Sequence, residues 1–523
     1  MLAGQNLKTK VIKILCLALT VATVISTFVA CDTSDSGDGT GSTGTTSSSV
    51  GAQNPSDSTG TETGTSTGTG TDTETSTETE TRDYKLLLDE IPDESVDWGG
   101  KKFTILCSEY NGDNLQELIS AGSSGEPLSD KVYERNVLFQ DKCNCQLAYV
   151  KAKDQADADF KAKREAQDGL GDLQYFTIDH TTTANLAVEG LLYNFLDMGI
   201  DLEEEWWDQG TASFNLRNHV FFMNGTWNFS DDRLTWCMIY NKTLFKKQYP
   251  TEDLYKAVEE GEWTLAKFKT MISNFSEDNG DGTWDENDTY GFIATPHYSE
   301  AFFFGSGLRY TDMENGADPT LTLSNDKGMM NKASALVDKV IDIYGGDHAT
   351  YRASAFQTSY KMFKDNQGLF FGESVSYVIN LNQEYDGQFG VLPVPKYDTD
   401  QSEYLTYTNA WSSTLSVPVN TKDGKKIGKM AEVFSIMSHQ LVFPAFYDIV
   451  LTSKSVKDPQ SVKMLDIIFQ NRIYDLANYF GSLGLKGIFE KSAENGNNNF
   501  SRDHARQKSS FSKNVRTLFA KLQ

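Results

Sequence analysis

Apolar residues follow two patterns along most of the chain, and the patterns alternate. Short apolar runs predict strands over 102–107, 146–150 and 172–178, and apolar residues at helical spacing lie between and after them. Val132, Val137 and Leu138, for example, fall on one side of a predicted helix over 129–141. Alternation of strands and helices favours an α/β lobe with mostly parallel strand pairing.

A second block of structure begins at about residue 236. The apolar run 236–240 predicts a strand, which breaks at Asn241-Lys242, and Trp263-Thr264 then announces a helix that Thr264 can cap. A further helix is predicted over about 327–344, because its apolar face stops at Gly345-Gly346. The segment after residue 420 is predicted to be mainly helical.

The N-terminal region has a different composition from the rest. Residues 1–31 combine three lysines with an apolar run over 14–30, which is typical of an export signal and short for a membrane span. The ending Phe28-Val29-Ala30-Cys31 resembles the lipobox of bacterial lipoproteins, with Phe28 where Leu is usual, so Cys31 is the expected lipidation site. Residues 32–98 are predicted to be a linker, disordered where Ser, Thr and Gly dominate.

The length and net charge of the chain limit the classes of fold and partner that it can have. A chain of 523 residues suggests two or more domains, and 39% apolar residues are sufficient for packed cores. The net charge of −26 repels nucleic acid and anionic membrane surfaces, so neither is an expected partner. Four cysteines remain beyond the signal region, Cys107, Cys143, Cys145 and Cys237, and lack the paired spacing of a zinc site. We expect these cysteines to be buried free thiols. One disulfide bond stays an alternative, because an exported chain reaches an oxidising environment.

Loops with aromatic and polar residues supply the ligand-binding candidates. In parallel sheets, ligands bind beyond the carboxyl ends of strands, which draws attention to Tyr110 and Asp179. Sugars present apolar C–H faces edged by hydroxyl groups, so a ring beside hydrogen-bonding side chains suits them. Trp227 beside Asn228 and Trp411 beside Asn409 fit this description, whereas Trp206-Trp207 are expected to pack between elements. The full candidate set is Tyr110, Asp179, Trp227, Asn228, Arg309, Glu373, Asn409 and Trp411.

An acidic stretch after the second block's first helix predicts a calcium loop. Aligned on Gly282 as its sixth position, it offers oxygen ligands on alternating residues, which lets a loop wrap a hard cation. The first loop position is Glu277, where Asp is usual, and the twelfth is Asp288, where Glu is usual. The alternative is an Asx-rich turn without metal. The expected ligands are Glu277, Asn279, Asp281, the Thr283 carbonyl, Asp285 and Asp288.

Taken in order, these motifs resemble family 1 extracellular solute-binding proteins of ABC importers. The resemblance rests on Trp206-Trp207, on the strand-to-helix passage at Asn241-Lys242 and Trp263-Thr264, and on Gly390-x-x-Pro393-x-Pro395. It implies an α/β, periplasmic-binding-protein-like fold of type II, with two lobes joined by hinge segments. The implied bounds are 99–235 for the first lobe, 236–410 for the second, and 411–523 for the return to the first lobe and the C-terminal helices.

The same resemblance implies a function. The protein is expected to be a lipid-anchored monomer on the extracellular face of the membrane. Its expected ligand is a carbohydrate, specifically an oligosaccharide, which it delivers to an ABC permease. It is not expected to catalyse a reaction. Two alternatives stay open: a secreted glycan-acting hydrolase, and a surface glycan-binding adhesin without a transporter. A hydrolase needs two carboxylates flanking the scissile bond, and spacing selects no such pair here. The sequence contains no HExxH or P-loop motif.

Overall fold

The structure consists of two α/β lobes, each built around its own β-sheet. It is a computed structural model that describes residues 84–523, apart from 111–113, 123, 315, 347, 453–458 and 521–523. The predicted export signal, Cys31 and the linker up to residue 83 lie outside the described residues. In the part of the chain that is described, no helix combines the length and apolar character needed to cross a bilayer.

The sheet of the first lobe begins with three parallel strands. They are β1 (Lys102–Ser108), β2 (Gln146–Ala152) and β3 (Tyr175–Asp179), with β1 between the other two. All of β3 is buried, as expected for a strand covered by helices on both faces. The helices of this part are α1 (Tyr84–Glu90), α2 (Asp93–Val96), α3 (Asn114–Leu118), α4 (Pro127–Lys142), α5 (Gln155–Asp168), α6 (His180–Val188), α7 (Gln209–Ala212) and α8 (Ser230–Arg233).

The first lobe starts earlier in the chain than the sequence pattern predicts. Part of the predicted linker, residues 84–98, contains α1 and α2, and Tyr84, Ile91 and Val96 are buried in the same core cluster as Phe103. These apolar residues are few and widely spaced among charged ones, so they form no clear local pattern. Their burial depends on packing against the rest of the lobe.

The second lobe contains a five-stranded mixed sheet in the order β10-β4-β9-β5-β8. Its central strand β9 pairs antiparallel with β4 and parallel with β5. The strands of this part are β4 (Trp236–Asn241), β5 (Tyr290–Ala294), β6 (Thr311–Asp312), β7 (Thr320–Leu321), β8 (Thr350–Arg352), β9 (Gly368–Ser374) and β10 (Phe389–Leu392), of which β6 and β7 form a separate ribbon. The helices are α9 (Lys242–Gln248), α10 (Leu254–Glu259), α11 (Leu265–Ser273), α12 (Tyr298–Gly305), α13 (Thr322–Asn325), α14 (Lys327–Gly345), α15 (Phe356–Lys364) and α16 (Val375–Glu384).

Local capping explains how the second lobe begins. Asn241 is the last residue of β4 and caps α9, because its side-chain oxygen accepts a hydrogen bond from the backbone N–H of Leu244. Thr264 caps α11 in the same way through the N–H of Lys267. Both breaks that the sequence predicts are therefore helix starts with a side-chain cap.

The chain then returns to the first lobe and ends in helices. Strand β11 (Thr406–Tyr407) pairs with β13 (Arg472–Ile473), and β12 (Ser413–Ser416) joins the first sheet antiparallel to β3. The remaining helices are α17 (Gly424–Met437), a π-helix (Ser438–Val442), α18 (Phe443–Thr452), α19 (Pro459–Gln470), α20 (Leu476–Tyr479), a 3-10 helix (Gly481–Leu483), α21 (Ile488–Glu494) and α22 (Phe500–Leu518).

These C-terminal helices contact both lobes. Helix α17 packs against the first lobe, α20 contacts α6, and α21 and α22 contact α14 of the second lobe. The tail after residue 411 is therefore more than a return to the first lobe. One core cluster accordingly contains Phe176 of the first lobe, Phe302 of the second and Phe489 of the tail.

Two of the segments that pass between the lobes contact each other. One leads through α8 into β4, and the other runs from β11 to β12. They contact each other where the hydroxyl groups of Thr235 and Thr408 lie 3.1 Å apart, and the N–H of Ser413 donates to the hydroxyl of Ser230 at 2.9 Å. Paired crossing segments of this kind are the hinge of two-lobed binding folds.

Candidate ligand-binding site

One edge of the first sheet collects polar side chains from distant parts of the chain. Strands β1 and β3 end there with Ser108 and Asp179, and the antiparallel β12 begins there, with Ser413 opposite Asp179. The hydroxyl groups of Ser108 and Ser413 lie 3.3 Å apart. Ligands of α/β sheets bind outside such an edge, so this edge is the first-lobe side of the candidate site.

Two aromatic rings lie next to each other at this edge. The rings of Tyr110 and Trp411 meet edge to face, with their centroids 6.4 Å apart at 80°. Trp411 is 48% exposed, although most large aromatic residues of the chain are buried. An exposed indole held by a neighbouring ring offers an apolar face for a ligand. The structure therefore brings together two rings that the sequence analysis proposed separately.

Asp179 positions this aromatic pair. Its carboxylate is fully buried and accepts hydrogen bonds from the Tyr110 hydroxyl at 2.5 Å, the Gln155 amide at 2.9 Å, and the N–H and hydroxyl of Thr182 at 3.0 and 2.8 Å. With four donors, the carboxylate has no free surface for a ligand. Asp179 thus caps α6 and orients Tyr110, a different role from the ligand contact that the sequence analysis assigned.

Asn409 has a similar supporting role for Trp411. Its side-chain oxygen accepts a hydrogen bond from the backbone N–H of Trp411 at 3.0 Å, and its carbonyl oxygen accepts from Ser412. This Asx turn holds the chain at the start of β12 and presents the indole at the surface. Asn409 itself is partly exposed.

A serine–histidine pair lies beneath the aromatic rings. The hydroxyl of Ser412 and Nδ1 of His180 are 2.8 Å apart, and burial lowers the pKa of His180 to about 3. Neither residue has exposed surface. A nucleophilic serine must reach a substrate atom, so this buried pair is a structural contact in the present conformation.

The strand ends of the second sheet form a corresponding edge in the second lobe. Strands β5 and β9 end there, and His297 follows β5 after two intervening residues. The His297 side chain is 58% exposed, and its Nδ1 lies 2.8 Å from a carboxylate oxygen of Glu490 on α21. The hydrogen bond to Glu490 raises the pKa of His297. His297 is a candidate ligand contact that the sequence analysis did not identify, although its position after a strand end was an available signal.

Glu373 lies near the end of β9, buried behind this edge. One carboxylate oxygen accepts a hydrogen bond from the N–H of Ser374 at 2.9 Å, and the other has no partner among the described residues. Burial raises the pKa of Glu373 to about 8, so the group is mostly protonated at neutral pH. At 2% exposure, Glu373 contacts no ligand in this conformation.

Three other predicted residues lie away from the aromatic pair. Trp227 is 1% exposed and belongs to the core of the first lobe, so its ring has no free face for a sugar. Asn228 is buried beside it, and its side-chain oxygen accepts from the N–H of Ser230 at the start of α8. Arg309 is exposed between α12 and β6, and no described residue bonds to its side chain. The burial of Trp227 and Asn228 corrects their assignment as ligand contacts.

The predicted calcium loop is folded back on itself. Both carboxylate oxygens of Asp288 accept backbone N–H groups, from Asn279 at 2.8 Å and from Asp285 at 2.7 Å. Asn279 and Asp281 likewise accept N–H groups from the residues two positions on. Within the described ranges, no group of three or more His, Cys, Asp or Glu is placed to hold a metal. The oxygen donors suit calcium chemically, and calcium binding stays a prediction.

The four cysteines in the described part of the chain are buried free thiols, as the sequence predicts. Cys107, Cys143, Cys145 and Cys237 are all free and buried. Burial raises the pKa of Cys107 and Cys145 to about 12, so these thiols are neutral and unreactive.

Comparison with solved structures identifies the fold. The GacH receptor of Streptomyces glaucescens, solved unliganded and with acarbose, matches with a TM-score of 0.51 at 14% identity, over 80% of this chain and 98% of the receptor. A cyclo/maltodextrin-binding protein solved with maltotetraose matches with a TM-score of 0.52 at 13% identity, over 83% of this chain and 98% of that protein. UgpB of Mycobacterium tuberculosis, solved with glycerophosphocholine, matches with a TM-score of 0.51 at 15% identity, over 77% of this chain and 99% of UgpB.

These matches confirm the two-lobed periplasmic-binding-protein-like fold that the sequence resemblance implied. Identities this low establish the fold alone. No protein-family model matches the sequence, and no curated protein matches it.

Proposed function

We propose that this protein is an extracellular solute receptor that binds a carbohydrate between its two lobes and delivers it to an ABC permease. The observation that carries the proposal is the Tyr110–Trp411 ring pair, held at the ligand-binding edge of a solute-receptor fold. The exposed indole suits the apolar face of a sugar ring. The protein would bind its ligand and release it unchanged.

The polar groups around the rings suit the hydroxyl groups of a sugar. Burial, with the charge and hydrogen bond of Asp179, raises the pKa of Tyr110, so its hydroxyl stays protonated. His297 supplies a ring nitrogen from the opposite edge. Because the crossing segments form a hinge, closure would bring the His297 edge over a sugar stacked on Trp411.

The N-terminal sequence supports a location at the membrane. Lipidation of Cys31 would anchor the chain on the extracellular face, and the Ser-, Thr- and Gly-rich linker would let the receptor reach a permease. A calcium ion bound by the loop 277–288 would stabilise the second lobe away from the ligand site.

A thermal-shift screen of the mature protein tests the carbohydrate proposal. We expect at least one of maltotetraose, cellotetraose, xylotetraose, mannotetraose and N-acetylchitotetraose to raise the melting temperature, because a ligand bound only by the folded state stabilises it. Amino acids and short peptides serve as controls. A shift with peptides and none with any sugar would contradict the proposal, and release of shorter sugars during incubation would indicate a hydrolase.

A further inference from the structure

A groove of about 350 Å³ is lined by α5 and α6 of the first lobe and by residues of the C-terminal tail. Binding pockets for small molecules have volumes of roughly 300 to 1,000 Å³, so the groove is large enough for part of a ligand. Tyr110 and Trp411 are outside its lining, so the groove is distinct from the ring pair. The lining is mostly polar and includes Gln155, Ala156, Asp159, Thr181, Asn185 and Ser482.

One end of the groove lies at the ligand-binding edge of the first sheet. Helix α5 begins at Gln155, shortly after β2 ends at Ala152, and α6 begins directly after β3 ends at Asp179. Because β1, β2 and β3 are parallel, their carboxyl ends lie at one edge of the sheet. The first residues of both helices therefore lie at the edge that carries the Tyr110–Trp411 pair.

One carboxylate connects the groove to the ring pair. One oxygen of Asp179 accepts a hydrogen bond from the Tyr110 hydroxyl at 2.5 Å, and the other accepts from the Gln155 amide at 2.9 Å. Thr182, which also lines the groove, donates to both oxygens. A single side chain therefore separates Tyr110 from the lining of the groove.

The charged residues of the groove pair with one another. Lys163 is the one cation among the described residues of the lining, and its ammonium lies 3.0 Å from Asp159 and 2.8 Å from Glu189. An acidic ligand would meet two carboxylates and a cation that is already paired. The electrostatics of the groove therefore favour an uncharged ligand.

The uncharged polar side chains suit a ligand with several hydroxyl groups. Thr181 is half-buried and Asn185 is exposed, and no described residue forms a hydrogen bond with either side chain. The two residues are four positions apart on α6, so they lie on the same side of the helix. A hydroxyl and a carboxamide each donate and accept hydrogen bonds, as sugar hydroxyl groups do.

An exposed aromatic residue lies beside the groove. Phe160 of α5 is 63% exposed, more than Trp411 at 48%. It follows Ala156 by four positions and precedes Lys163 by three, and residues at these spacings are neighbours on a helix surface. Phe160 therefore lies at the rim of the groove, where an apolar ring can cover the C–H face of a sugar.

We propose that the groove between α5 and α6 is an additional subsite that binds further units of the same uncharged oligosaccharide that stacks on Trp411. Thr181 and Asn185 bind hydroxyl groups there, and Phe160 covers one sugar face at the rim. This inference rests on the proposed function and adds to it a ligand length, because a short sugar occupies the ring pair alone and a longer one also reaches the groove.

A series of sugar lengths tests the subsite. The tetrasaccharide that shifts the wild-type melting temperature most fixes the sugar type, and calorimetry then compares the shortest chain that binds with the hexasaccharide. We expect the wild type to bind the hexasaccharide about 10-fold more tightly or better. The double variant Phe160→Ala/Asn185→Ala should lose about 10-fold in affinity for the hexasaccharide and keep its affinity for the short chain, because it removes one stacking ring and one hydrogen-bonding group.

A matched double variant controls for loss of exposed side chains. Tyr133→Ala/Gln167→Ala removes an exposed aromatic residue of α4 and an exposed amide of α5, both outside the lining of the groove. It should bind both sugars as the wild type does. Amide hydrogen exchange supplies a direct readout, since the hexasaccharide should slow exchange in the first turns of α5 and α6 more than the short chain does.

The outcomes are distinct. A wild-type affinity that does not rise with sugar length, or a loss in Phe160→Ala/Asn185→Ala that is absent or equal for both lengths, overturns the inference and leaves the proposed function standing. The absence of any sugar-dependent shift in the wild type overturns both.

Discussion

Single residues decide which aromatic ring is available to a ligand. Trp411 and Trp227 have similar polar neighbours in sequence, but Trp411 is 48% exposed and Trp227 is 1% exposed. Trp411 lies at the surface with its ring against Tyr110, whereas first-lobe core residues surround Trp227.

This contrast predicts opposite effects for two tryptophan variants. Trp411→Ala should lower sugar affinity by about 10- to 50-fold, because the sugar loses its stacking surface, with little change in the unliganded melting temperature. Trp227→Ala should lower the free energy of unfolding by about 3 to 5 kcal/mol, the usual cost of a large cavity in a core. Calorimetry and denaturant melts measure the two effects. If Trp227→Ala lowered the sugar affinity and Trp411→Ala lowered the free energy of unfolding, Trp227 would be the ligand contact.

The pair formed by His297 and Glu490 predicts a pH dependence of stability. Glu490 raises the pKa of His297 above its ordinary 6.5, so the folded state holds the proton more tightly than the unfolded state. The stabilisation is fully present below pH 6.5 and is lost as the pH rises through the raised pKa. His297→Gln should therefore lower the melting temperature more at about pH 5.5 than at about pH 9. A difference that grows towards alkaline pH would contradict the pairing.

At the scale of elements, the loop 277–288 shows how a segment can satisfy its own polar groups. Its Asp and Asn side chains accept hydrogen bonds from backbone N–H groups within the loop. At the base of the loop, Glu277 and Thr289 each donate a backbone N–H to the carbonyl oxygen of the other. The loop therefore closes as a turn without an added ion. A cation would compete with these hydrogen bonds for the same carboxylate oxygens.

Calcium removal tests which partner the oxygens prefer. We expect a chelator to lower the melting temperature of the mature protein and added calcium to restore it, because a bound ion stabilises only the folded loop. Asp281→Asn should reduce the calcium effect, since it removes one charged ligand. An identical melt with and without chelator would identify the segment as a metal-free turn.

At the scale of the whole molecule, a buried charge cluster joins the first lobe, the crossing segment through α8 and the C-terminal tail. Arg472 of β13 bonds Asp208 of the first lobe at 3.0 Å, and Asp231 and Asp232 of α8 at 3.2 and 2.7 Å. Burial raises the pKa of Asp231 and of Asp232, and the charge of Arg472 opposes this effect. The single arginine therefore balances three carboxyl groups where both crossing segments meet.

Removal of this arginine should weaken the whole fold. We expect Arg472→Met to lower the free energy of unfolding at neutral pH by about 3 to 5 kcal/mol, because it leaves buried carboxylates unpaired. The loss should shrink at acidic pH, where protonation removes those charges. Arg502→Met is a suitable control, because Arg502 is exposed and pairs only with its neighbour Asp503. An equal loss at both pH values would exclude the charge explanation.

Local pattern was sufficient to predict much of the architecture. The helix predicted over about 327–344 is α14, Lys327–Gly345, and the predicted strand at 102–107 is β1, Lys102–Ser108. Strand and helix periodicity are properties of neighbouring residues, so a single chain carries them without reference to its partners. The order of these elements, with the family motifs, indicated the two-lobed fold.

Side-chain exposure was not available from local pattern. Asp179 follows a strand end as a ligand residue would, but the tertiary structure surrounds it with four donors and leaves the surface to Tyr110 and Trp411. Contacts along the chain were enough to predict the elements, their order and the class of fold. The exposure of each polar and aromatic group follows from tertiary contacts, because burial and electrostatics depend on residues brought together by folding.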